Sequence, residues 1–189
     1  TRCSRDWSSD VCSSDLLNLT LGIHGRDTNH GVVMPFVLAL PTYAATAWYH
    51  HRLPKYEGAN LSKLLNEVVE FSTSDYLSAL VAGATLSADK KQAVAQKLHE
   101  FTGLPVDYLL KAKLQVNAHM FEQQLLSDTN TTVGHLDTRY VGPSMDPLAK
   151  TRSYDPQSGA ISSAYVSTYN DYARTKLGFG KGLHFQPNR

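Results

Sequence analysis

Apolar residues recur at helical spacing through the middle of the chain, with short extended patterns on either side. Leu17 to Ile23 (LNLTLGI) alternates apolar and polar positions and is bounded by Gly and His, which predicts a short strand. His24 to Gly31 carries Gly25, Asp27, Asn29 and Gly31, the composition of a loop. Met34 to His51 is apolar and aromatic. Within it Pro41 suits the first turn of a helix continuing through Thr42, Ala45 and Trp48, and Pro54 and Gly58 end that run.

From Asn60 to Asp128 the pattern reads as helix after helix. Asn60 can cap Leu61 to Phe71, where Leu61, Leu64, Leu65, Val68 and Val69 form one stripe. Thr73 or Ser74 starts a helix over Asp75 to Gly83. Ser87 caps Ala88 to Phe101, and Gly103 ends it. Pro105 opens a short helix, Val106 to Ala112, and Asn117 caps Ala118 to Leu126. Thr131 to Val141 looks extended, with Gly134 and Asp137 able to break it into a hairpin. Gly142 to Gly159 holds three prolines and reads as a loop, and Ile161 to Leu177 as a final amphipathic helix. Gly178, Gly180 and Gly182 then end regular structure. These patterns predict a mostly α chain with a few short strands.

Residues 1–16 stand apart. Thr1 to Leu16 (TRCSRDWSSDVCSSDL) has no apolar period and no signal-peptide core. Back-translated, Arg5 to Leu16 resembles a common sequencing-library adapter, so this leader is read as artefactual and unstructured. Both cysteines, Cys3 and Cys12, lie in it, and thiol or cysteine–metal chemistry leaves with them. The expectation that follows is a truncated reading frame whose natural start lies upstream of Leu17.

Composition narrows the function classes. Apolar residues at 42% and charged residues at 19% suit a packed core rather than a disordered chain. The formal net charge is +1, and taking away Arg2, Arg5, Asp6, Asp10 and Asp15 with the leader makes it +2. That balance gives no electrostatic case for nucleic acid. No apolar run reaches the roughly 18 residues of a membrane-spanning helix.

The candidate chemistry is sparse. No G-x-S-x-G, H-E-x-x-H, phosphate-binding loop or spaced Cys/His set occurs. Ser87-Ala88-Asp89-Lys90 fits S-x-x-K, but Ser87 sits where a helix cap belongs, with Asp89 in the positive first turn. His50 and His51 are adjacent and diverge by about 100° on a helix, so they cannot share one ion. His119, in a first helical turn, reads as a surface histidine. His24 and His30 lack a carboxylate or third histidine at ligand spacing, so no metal and no cofactor is expected. Gly178 to Gly182 neither follows a strand nor opens a helix. Asn18, Asn60 and Asn130 match the short glycosylation pattern, which arises often by chance.

Four segments carry a family resemblance. Leu40 to His50 (LPTYAATAWYH), Lys97 to Leu104 (KLHEFTGL), Thr132 to Tyr140 (TVGHLDTRY) and Tyr169 to Tyr172 (YNDY) resemble, in order and spacing, runs of the bacterial serine carboxypeptidases. Gly31-Val32-Val33 departs from the family's Gly-Asn-Asp, and the tail after Gly178 matches none of its runs. The resemblance implies an α/β-hydrolase fold, of which this chain would be an internal fragment. Residues 17–33 would be a strand and loop of the hydrolase core, 34–128 a helical cap region, and 129–189 a hairpin, loop, amphipathic helix and tail leading back to the core. It implies peptide hydrolysis at the C-terminus through an acyl-serine, with the catalytic Ser, Asp and His all outside the fragment, which would be inactive alone. Tyr43 and Trp48 are the candidates for lining a substrate pocket under the cap, with packing in the core as the alternative for both. A peptide substrate and a periplasmic or secreted location are further implications. The alternative is a non-catalytic helical binding module.

Overall fold

The computed structural model describes residues 32–151 and 153–183. The leader, the predicted strand Leu17 to Ile23, and His24 and His30 lie outside the described residues. The described chain is mostly helical: α1 (Met34–Tyr49), α2 (Leu61–Phe71), α3 (Leu77–Ala82), α4 (Ala88–Thr102), α5 (Val106–Lys111), α6 (Ala118–Gln124) and α7 (Pro156–Thr175). A two-stranded antiparallel sheet, β1 (Thr131–Val133) with β2 (Val141–Pro143), lies between α6 and α7 in the chain. The contacts divide the protein into two compact units, with the boundary after Phe121, inside α6. No described helix is long and apolar enough to cross a membrane.

In the first unit α1 is the central rod. It buries Phe36, Val37, Leu40, Tyr43, Ala44 and Ala47, and it packs on α2 and α4. Pro41 is not in its first turn: the helix starts at Met34 with Pro35 in the first turn, and Pro41 lies inside it. Proline has no N–H for the preceding turn. Apolar burial on both sides of Pro41 offsets that loss. The core continues through Leu64, Val68, Leu98, Phe101, Leu104 and Leu109, none more than 2% exposed.

The predicted caps form. Asn60 accepts the N–H of Ser62 at 2.8 Å, Ser87 that of Lys90 at 3.4 Å, and Asn117 that of Met120 at 3.0 Å. No new helix starts at Thr73 or Ser74. α2 passes through one π turn, Ser72–Tyr76, directly into α3. The Thr73 and Ser74 hydroxyls donate back to the carbonyls of Val69 (2.8 Å) and Glu70 (2.6 Å), so they serve the helix interior instead of capping a fresh one. The wider turn brings Tyr76 inward, where its hydroxyl donates to the Leu114 carbonyl at 2.6 Å.

In the second unit the hairpin pairs Thr131 with Pro143, Thr132 with Gly142 and Val133 with Val141. α7 begins at Pro156, five residues before the predicted Ile161. Asp155 caps it, accepting from the Gln157 N–H at 3.2 Å, and Pro156 occupies the first position, where no N–H is needed. Gln157 in turn accepts from the Asp137 N–H at 2.7 Å, and Asp155 from the His135 N–H at 3.1 Å. The start of α7 thereby holds the loop between the strands. Gly134 fits this junction because a Cβ there would stand 2.5 Å from the Asp137 carbonyl oxygen.

Candidate functional site

The first unit holds an aromatic pocket just beyond α1. Backbone bonds from His51 to Trp48 (3.1 Å) and from Arg52 to Ala47 (2.9 Å) close the helix end, with His51 in the left-handed region at φ 55°. The chain then turns through Pro54–Tyr56. Trp48, Tyr49, His51, Leu53, Pro54, Tyr56, Glu57 and Gly58 enclose about 480 Å³. That volume suits one amino-acid side chain or a small apolar ligand. Among the described residues the lining is mostly aromatic and apolar, so it offers shape and apolar surface.

Tyr56 fixes one wall. Its hydroxyl donates to Glu67 at 2.9 Å, and burial together with that carboxylate pushes the phenol up to about 12. Its ring lies 6.0 Å from that of Phe101. Nearby, Lys55 reaches Glu100 at 2.8 Å and holds the Glu100 carboxyl below its ordinary value, aided by Lys97 at 3.1 Å.

Tyr43 and Trp48, the two aromatic residues expected to line a pocket, take different roles. Trp48 lines the pocket. Tyr43 is buried, stacked on Phe121 at 4.2 Å between ring centres, and its hydroxyl donates to the Val116 carbonyl at 3.3 Å. Tyr43 therefore packs the core of the first unit and is not in the pocket wall. Ser87 caps α4. A second groove of about 560 Å³ runs between α3 and α4, floored by Phe71 and small residues such as Ala79, Ala82 and Ala93, with Lys90 and Lys97 on its lining.

The second unit contains a part-buried acid–histidine pair that the sequence pattern did not single out. Glu122, whose side chain is 4% exposed, meets His135 Nδ1 at 2.6 Å, and its main-chain carbonyl accepts from the Thr132 hydroxyl at 3.1 Å. The two residues lie thirteen positions apart, one on a helix and the other just past the end of a strand. The signal available in the sequence was His119-x-x-Glu122, a one-turn spacing on a helix, with a histidine following.

No family model, no curated protein and no solved structure matches this chain.

Proposed function

We propose that the chain is the helical cap region of a serine carboxypeptidase-like α/β-hydrolase, inactive alone, with the nucleophile and its partners on other parts of the polypeptide. The observation that carries the reading is the longest of the resembling segments. Leu40 to His50 runs along α1 and delivers Trp48 to an aromatic pocket. A cap needs such a concave apolar surface to select a side chain and exclude water over the reacting carbonyl. The resembling Gly103 and Gly134 also sit where a Cβ would meet backbone oxygens, at 2.9 and 2.5 Å, so those motif positions answer to this local geometry.

A second reading, a self-contained helical binding module, is favoured by one feature. Among the described residues every fully buried side-chain nitrogen and oxygen has a hydrogen-bond partner. Two measurements separate them. The genomic sequence around the coding region, with the adapter trimmed, should continue upstream into a Gly-x-Ser-x-Gly frame under the first reading. A start codon near Leu17 would support the second. The purified 189-residue chain should also show no covalent labelling by a serine-directed fluorophosphonate. Labelling abolished by Ser87→Ala would overturn both readings.

A further inference from the structure

We propose that the pocket beyond α1, taken as the recognition surface of the cap reading on which this ligand class rests, binds a quaternary ammonium ion of the choline type. Trp48, Tyr49 and Tyr56 supply the aromatic surround and Glu57 the counter-charge. All four come from one continuous stretch of the first unit, the end of α1 and the turn that follows it. They line the same space of about 480 Å³, which has room for a trimethylammonium group.

The lining selects the charge of the ligand. Aromatic rings attract cations through the negative charge on their faces, Trp most strongly. Tyr56 is enriched further, because its hydroxyl donates to the Glu67 carboxylate at 2.9 Å and so pushes electron density into the ring. The chain already sets one cation against this ring: Lys55 Nζ lies 5.8 Å from its centre. That ammonium is held by Glu100 at 2.8 Å, so its charge is offset. Among the described residues of the lining there is no lysine or arginine, and Glu57 is the one carboxylate. Glu57 is exposed, and among the described residues its side chain has neither an ion pair nor a hydrogen bond. Its charge is therefore free to face a ligand.

The lining also selects the kind of cation. A primary ammonium gives up water at three N–H donors on entering a space walled by rings and aliphatic carbons. A quaternary ammonium has no N–H to satisfy, and its methyl groups gain from contact with the apolar side chains of Leu53 and Pro54. An anion would be repelled by Glu57 and by the ring faces alike.

The experiment is calorimetric titration of the purified chain with choline. The control is its uncharged analogue, in which carbon replaces the nitrogen and the shape is kept. Choline should bind saturably, and the neutral analogue at least about tenfold more weakly. Glu57→Gln replaces an exposed side chain without touching the core. It should weaken choline by about threefold to tenfold and leave the neutral analogue unchanged. Trp48→Leu should weaken choline by at least about tenfold, with far-ultraviolet circular dichroism verifying the fold. If that variant does not fold, Glu57→Gln alone decides. Absence of saturable choline binding would overturn the proposal, and so would choline affinity unchanged in Glu57→Gln, which would put the cation elsewhere. Equal affinity for the neutral analogue would overturn it too, while leaving an apolar pocket and with it the cap reading. The upstream reading frame tests that reading separately, so the two failures are distinguishable.

Discussion

Tyr56 shows how one side chain couples the pocket to stability. Its phenol keeps its proton to about 12, against an ordinary value of 10.0, because burial and the Glu67 carboxylate both disfavour the phenolate. A raised folded-state value means the stabilisation is complete below pH 10 and is lost as pH climbs from 10.0 to about 12. Urea midpoints should therefore fall more steeply across that window in the native chain than in Tyr56→Phe. At neutral pH the same variant should cost about 0.5–1.5 kcal/mol, the net worth of one hydrogen bond. Parallel alkaline profiles would show that Tyr56 is not the group concerned. Asp137 works in the opposite direction. The Arg139 guanidinium, 2.7 Å from its carboxylate, and the Arg139 N–H hold the carboxyl down at about 2. Its contribution to the loop is present above the ordinary value of 3.8 and disappears as pH falls towards 2. Carbon-detected NMR titration should place the Asp137 midpoint near 2 in the native chain, and Arg139→Ala should move it back up towards 3.8.

At the level of elements, the C-terminus of α4 is the most exacting junction. Gly103 adopts φ +70°, and a Cβ there would stand 2.9 Å from the Arg52 carbonyl oxygen. Gly103→Ala combines left-handed strain with a backbone clash, so it should destabilise by more than about 1 kcal/mol, read from urea midpoints. A neutral result would mean that the loop carrying Arg52 yields freely. This terminus was legible in the sequence, as were the caps at Asn60, Ser87 and Asn117, because caps and glycine stops are written in neighbouring residues. Pro41 was not. Its local rule says first turn, and only the burial of α1 on both sides of it lets the helix run through. The π turn carries no local mark, since Thr73 and Ser74 suit a cap as well as a back-bonded helix interior. For the sites, Trp48 could be picked out as an aromatic near a helix end, whereas Tyr43, five residues earlier, faces the core. The Glu122–His135 contact joins two elements and needs the fold to exist before it can be seen.

At the scale of the molecule, the two units differ in how much they bury. A fragment of a larger hydrolase would be expected to leave the apolar faces of both Phe36 to Trp48 and Ile161 to Tyr172 without partners. The first is met only in part, because its own unit buries Phe36, Val37, Leu40, Tyr43, Ala44 and Ala47 and leaves Leu38 exposed. The second stands closer to expectation. Along α7 Pro156 and Ala173 are buried, while Tyr165, Tyr172 and the following Leu177 are more than half exposed. Local opening free energy rises with buried apolar contact and falls where backbone hydrogen bonds face water. Amide exchange should therefore be slowest in α1, α2 and α4, whose buried side chains form the core of the first unit. The middle of α7, from Ile161 to Tyr172, should exchange orders of magnitude faster, because few side chains there are buried. Mass-spectrometric exchange of the purified chain measures both at once. Equal protection across α1 and α7 would refute this division of stability. Fast exchange throughout α1 would show that the first unit does not hold its core alone, which would favour the cap reading over the self-contained module.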